Sequence, residues 1–150
     1  MPVSQYSNNM VINAVVTNYL NRARANGITT ECEIRVPEML NVRDEDLCIL
    51  LTNVLENALE ACEKINKTSE RYIRLKINAD SKLFYVSCSN SADGIVQSNE
   101  AGIFETSKKD KDINGYGIAA MNRVAQRYYG KVQTDSLEGN FSVQIILQIL

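Results

Sequence analysis

The stretch from Asp46 to Cys62 constrains this chain more than any other. Wound at ~100° per residue, it places Leu47, Leu51, Val54, Leu55, Ala58, Ala61 and Cys62 on one wide apolar face. Asn53, Glu56, Asn57 and Glu60 gather opposite, at i, i+3, i+4 and i+7. A helix with so wide an apolar face must pack against other elements. Asp44 is its expected N-cap, and its expected end is near Ile65.

The flanking patterns supply those elements. Residues 1–9 are polar and read as a linker. Val11, Ile12, Val15, Val16, Tyr19, Leu20 and Ala23 follow helical spacing from Met10 to Asn26, and Gly27 is the expected stop. Thr30, Cys32, Ile34 and Val36 alternate, as in a strand closed by Pro37. After the polar turn 66–69, Ile73, Leu75 and Ile77, then Phe84, Val86 and Cys88, predict a hairpin. Residues 90–114 lack sustained periodicity, and so long a loop is often a functional lid. A third helix is expected from about Gly115 to Gly130, followed by a strand at 131–136, a turn at 138–140 and a last apolar strand. The simplest layered solution is an α+β two-layer sandwich. It has a mixed, mainly antiparallel sheet of about five strands with three helices on one face.

Composition narrows the chemistry. The chain has 150 residues, 45% hydrophobic and 23% charged, the profile of one globular domain. With 16 basic and 18 acidic residues, nothing points to nucleic acid. No stretch approaches the ~18 apolar residues of a membrane span. The N-terminus also lacks the regions of a signal peptide. Direct membrane contact by this segment is therefore not expected. The 4 cysteines form no C-x-x-C pair and read as reduced core thiols. With 0 histidines, a Ser-His-Asp triad, a Cys-His pair and a phosphorylated histidine within this chain are all excluded.

The polar stripe on the second helix has two readings. One is an ordinary wet face. The other is a hard-cation site, because asparagine is a poor helix former and no cation neutralises the two glutamates. Carboxamide and carboxylate oxygens are ligands that Mg²⁺ accepts, beside waters and phosphates. Asn114-Gly115-Tyr116-Gly117-Ile118 likewise reads as a tight turn or as a phosphate-approach site at a helix N-terminus. Lys108, Lys109 and Lys111 are a solvated loop or a source of positive charge in the lid. Taken together, the three favour a nucleotide site.

Asn53-Val54-Leu55-Glu56-Asn57-Ala58 resembles the N box of the GHKL ATPases, and Gly115-x-Gly117-Ile118 resembles their second glycine box. Asn90-Ser91-Ala92-Asp93-Gly94-Ile95 stands at the first glycine box, with Asn90 for the aspartate, Ala92 for the first glycine and Gly94 as the second. Ile103-Phe104-Glu105 resembles the F box of sensor kinases. The order and spacing are most similar to the catalytic ATP-binding domain of peptide-quorum-sensing histidine kinases of the accessory-gene-regulator C type. The Thr106-Ser107-Lys108 motif and the opening helix belong to that likeness.

The resemblance implies a Bergerat (GHKL) fold over residues 10–150, an ATP lid at about 95–114, and ATP and Mg²⁺ as cofactors. It implies that Asn57 holds the metal. Asn53 shares that role or positions the γ-phosphate. Glu56, with Asn53 the implied catalytic pair, polarises water or the acceptor histidine. The implied nucleotide-binding set is Asn53, Asn57, Asn90, Gly94, Ile95, Lys108, Gly115, Tyr116, Gly117 and Ile118. Asn90 faces the adenine as an uncharged acceptor, so affinity is expected to be weaker than with aspartate. Glu60 stands where relatives often carry Lys or Arg, and with Ala92 it bears on catalytic vigour.

The implied activity is protein-histidine kinase. The acceptor histidine lies on an upstream dimerisation domain to which residues 1–9 connect, and a response regulator acts downstream. The implied location is cytoplasmic, within a receptor anchored in the cell membrane. The competing functions are a pseudokinase or docking module and an anti-sigma-factor serine kinase of the same fold.

Overall fold

The computed structural model describes residues 6–93, 97–98, 104–105 and 108–150, with the backbone alone at 97–98, 104–105 and 108–116. Its helices are α1 (Met10–Ala25), α2 (Asp44–Glu63) and α3 (Lys108–Arg127). Its strands are β1 (Thr29–Arg35), β2 (Tyr72–Ala79), β3 (Leu83–Ser91), β4 (Gln97–Ser98), β5 (Phe104–Glu105), β6 (Lys131–Leu137) and β7 (Asn140–Gln148). A short 3-10 turn, Thr68–Glu70, stands in the expected polar turn.

Five strands form one open sheet in the order β1-β2-β3-β7-β6, and β4 pairs with β5 apart from it. β1 runs parallel to β2, and the other neighbours in the large sheet are antiparallel. The sheet is therefore mixed and mainly antiparallel, as the patterning implied. Side-chain alternation makes whole rows face one way. Cys32, Leu75, Cys88, Val143 and Thr134 form one such row across all five strands. The helices cover that face, and Phe84, Val86, Ile77 and Ile145 beneath them are fully buried. Arg74, Lys76 and Gln144 point to the uncovered side.

α1 ends as its sequence indicated, with Gly27 in the left-handed region at φ +73°. The start of α2 departs from expectation. Arg43 is the N-cap and makes no side-chain cap bond, while Asp44, Glu45 and Asp46 occupy the first turn. Three acids there still suit the positive end of the helix dipole. α2 also buries more than the predicted face. Leu50 and Leu59 are sealed, and Asp46 with them, while Ala61 is only half-buried. α1 packs on one flank of α2, α3 on the other, and the sheet lies below. A helix enclosed on three sides has little fully wet surface, which wheel periodicity alone cannot register.

The third helix requires a larger correction. It begins at Lys108, not near Gly115, so the glycine pair lies inside α3 rather than at its N-terminus. The backbone of 108–114, expected as lid loop, is helical. Lysine is nearly as good a helix former as alanine, so a helix can extend past the end of its apolar stripe without any periodicity to announce it. Of the remaining expected lid, the described parts are the two short strands β4 and β5.

The cysteines divide. Cys62 and Cys88 are core thiols and Cys32 is half-buried, but Cys48 is exposed on α2, contrary to the core reading; none is in a disulfide. Residues 6–9 are held by Asn13, whose Oδ1 accepts from the backbone N–H of Ser7 at 2.8 Å and of Tyr6 at 3.1 Å.

Candidate functional site

Asn53 and Asn57, on the polar stripe of α2, face α3. A Cβ placed on Gly117 would lie 3.1 Å from Asn53 Oδ1, 3.6 Å from Asn57 Oδ1 and 3.7 Å from Asn57 Nδ2. Both carboxamides therefore converge on one point of the α3 backbone, and a side chain there would need the Asn53 oxygen to give way by a few tenths of an ångström. The orientation of Asn53 is fixed from behind. Its Nδ2 donates to Ile49 O at 2.7 Å, so its oxygen is the atom turned toward Gly117. Such bonding to the i−4 carbonyl lets a poor helix former satisfy its donor within the helix.

Glu56 sits on the same stripe and meets α1. Arg22 Nη1 lies 3.7 Å from its carboxylate. Burial, followed by the nearby Glu56 carboxylate, pushes the Tyr19 pKa above its ordinary value. The Arg22 guanidinium also stacks 5.1 Å from the centre of the Tyr19 ring. The sequence marked Tyr19 only as part of the apolar spacing of α1 and did not mark Arg22 at all. As a pair their only signal was an i, i+3 spacing on α1, which is uninformative until α1 is docked beside α2.

Asn90 lies near the end of β3, paired with Ile73 and Phe141, and points to the helix side. It is 2% exposed. Its Nδ2 donates to Ser91 O at 2.9 Å. Among the described residues no donor reaches its Oδ1. A buried amide oxygen left this way is costly unless something else supplies a donor. Ser91 is held in turn, its Oγ accepting from Tyr72 N at 3.0 Å and lying 3.4 Å from Cys62 Sγ. An open cleft of about 380 Å³ adjoins, lined in part by Lys64, Tyr72, Ser91, Ala92, Asp93 and Gly139.

The remaining sequence-predicted residues divide three ways. Ile118 is 1% exposed and belongs to the hydrophobic core, so its side chain packs rather than lining an open site. Lys108, Gly115 and Tyr116 lie on the α3 backbone, away from any helix N-terminus except Lys108, which opens the helix. Gly94 and Ile95 lie outside the described residues. Among the described residues no cluster of three His, Cys, Asp or Glu could hold a metal by itself. The oxygens of Asn53 and Asn57 remain a fitting donor set for Mg²⁺, which takes one or two protein ligands beside phosphates and water.

A family model described as the GHKL domain matches residues 42–148. Among solved structures, the nucleotide-free catalytic domain of histidine kinase ThkA superposes with a TM-score of 0.72 at 18% identity, covering 99% of this chain and 97% of that one. The mycobacterial sensor histidine kinase MprB gives 0.63 at 17% identity, over 91% of this chain and 93% of that one. Full-length ShkA in complex with AMPPNP gives 0.69 at 21% identity, covering 91% of this chain and 29% of that one. At these identities the likeness is one of fold. No curated protein sequence matches the chain.

Proposed function

The chain belongs to the GHKL domain family, and on that footing we propose that it is the Mg·ATP-binding catalytic domain of a sensor histidine kinase. It would donate the γ-phosphoryl of ATP to a histidine on a separate domain. The observation that carries this reading is the meeting of the Asn53 and Asn57 carboxamides at Gly117. An ordinary wet helix face has no reason to aim two carboxamides at a bare α-carbon of the next helix.

Bound there, Mg²⁺ would neutralise phosphate charge and orient the triphosphate. Asn57 is the proposed metal ligand. Asn53, its amide nitrogen held by Ile49, presents oxygen alone to the same place. Glu56 is placed one residue before Asn57 to polarise the acceptor. Asn90, with its amide nitrogen turned to Ser91 O, has its oxygen available as an acceptor, which suits a base bearing an exocyclic amine. The AMPPNP complex of ShkA supports an adenine nucleotide as the ligand class.

We place the acceptor histidine upstream, since this chain has 0 histidines. Residues 1–9 are then the end of the connection, and 10–150 the catalytic domain with a lid over about 95–114. The accessory-gene-regulator C subtype, a peptide signal, a membrane anchor and a downstream response regulator belong to the same proposal.

Two measurements test it. Mg·ATP at about 100 times Kd should stabilise the chain by about 2.7 kcal/mol, and a chelator should remove most of that shift. Labelled ATP, mixed with the chain and the histidine-bearing helical domain, should label histidine. Label on a partner serine would identify an anti-sigma-type kinase. ATP binding without transfer would identify a docking module.

A further inference from the structure

We infer that Tyr19 and Arg22 of α1 are positioning residues for the Glu56 carboxylate, so that the competence of the site depends on α1 as well as on α2; this rests on the kinase reading above. Glu56 lies between Asn53 and Asn57 in the chain, on the side of the polar stripe that meets α1. Left to itself, a glutamate side chain with three rotatable bonds would sample many orientations. Here two groups from the neighbouring helix fix it. Arg22 Nη1 stands 3.7 Å from the carboxylate, and the same carboxylate helps to raise the Tyr19 phenol above its ordinary pKa, so the phenol lies beside it.

The two groups also restrain each other. The guanidinium lies 5.1 Å from the Tyr19 ring centre, within cation–π range. The arrangement is not explained by stability. The side chains of Arg22 and Glu56 are 47% and 38% exposed, and ion pairs this wet contribute little to folding. Orientation is what a loosely screened cation, itself steadied by an aromatic ring, can supply. α1 is itself anchored at its entry. Asn9 caps it through Ile12 N at 2.9 Å, and Asn13 holds the preceding turn. Any rotation of α1 against α2 would therefore move the two groups that aim Glu56.

The test uses the chain with Mg·ATP and the histidine-bearing helical domain, reading transfer rate and nucleotide affinity separately. Tyr19→Phe and Arg22→Ala should each slow transfer by roughly tenfold, a fraction of what a positioned acid or base supplies. The Mg·ATP Kd should stay within about twofold of wild type. Arg22→Lys, which keeps the charge, should recover part of the rate. Unchanged rates in both variants would overturn the inference. So would a rate loss accompanied by an equal loss of nucleotide affinity and a lower Tm, because that pattern means general damage. Absence of transfer by an ATP-binding wild type would instead remove the kinase reading and this inference with it.

Discussion

Gly117 of α3 and Asn53 of α2 are packed so closely that a methyl group on the glycine would stand 3.1 Å from the Asn53 Oδ1. That contact joins the two sequence motifs that the chain carries far apart. Gly117→Ala must therefore push the helices apart or turn the carboxamide away. Overpacking of this kind costs about 1–3 kcal/mol, and here it falls on the ligand oxygens. Mg·ATP affinity should drop by about tenfold or more, equivalent to ~1.4 kcal/mol. Calorimetric titration checks this; an alanine variant with native affinity would show that the contact is irrelevant to the ligand.

Asn57→Ala should separate metal from fold. The side chain is half-buried at the site and lies off the apolar face of α2, so its loss should change Tm little. The stabilisation by Mg·ATP should shrink sharply, and raising Mg²⁺ should recover part of it by mass action. Equal stabilisation of variant and wild type would remove Asn57 as a ligand.

Asn90→Asp exposes a conflict that the residue type alone concealed. An aspartate gains a charged acceptor for an amine. It also places an oxygen where Asn90 Nδ2 now donates to Ser91 O at 2.9 Å, in a position 2% exposed. The lost bond and the facing oxygens should lower stability by about 1–3 kcal/mol. Denaturant titration of the nucleotide-free chain reads this directly, and an aspartate variant as stable as wild type would contradict it.

Asp46 anchors the far end of α2. Its carboxylate accepts from Arg127 Nη1 and from the Tyr128 hydroxyl, each at 2.5 Å, while remaining 1% exposed. Asp46→Ala should cost about 2–3 kcal/mol, at the low end for a broken buried pair because Arg127 can still reach water. Asp46 precedes Asn53 by two turns, ~10 Å along the helix, so nucleotide affinity should hold. A parallel fall in affinity would mean that the two ends of α2 are coupled.

Stability should fall in alkali. Burial raises the Cys32 thiol to about 11 and the Cys88 thiol to about 12, from an ordinary 9.0. Burial also raises the Tyr128 phenol, with the Asp46 contact adding to it. In each case the folded state holds its proton more tightly than the unfolded chain. The contribution is complete below the unfolded pKa and is lost as pH rises through the folded one. Denaturant midpoints should therefore decline from about pH 9 to pH 11, and Cys88→Val should make the decline shallower. A constant midpoint over that range would mean that the thiols titrate as in the unfolded chain.

Much of this was readable in the chain. Alternation in Ile73, Leu75 and Ile77 and in Phe84, Val86 and Cys88 specified the hairpin, because strand period forces such residues onto one face. The i, i+4 spacing of Asn53 and Asn57 placed them on one side of α2 before any fold was known. Other features had no local signature. The start of α3 at Lys108 rests on helix propensity without periodicity. Leu50 and Leu59 are buried because two helices flank α2, which no single-helix wheel contains.

What the sequence by itself determined was therefore the set of elements and which residues share a face, since both follow from the fixed geometry of helix and strand. What only the tertiary structure decided was which faces meet. The approach of Gly117 to the two asparagines, the contact of Arg22 with Glu56, and the burial of Asn90 between Ile73 and Phe141 all join residues distant in the chain. Contacts of that kind exist only once the helices are laid side by side on the sheet, because it is packing that sets the distances between separate elements.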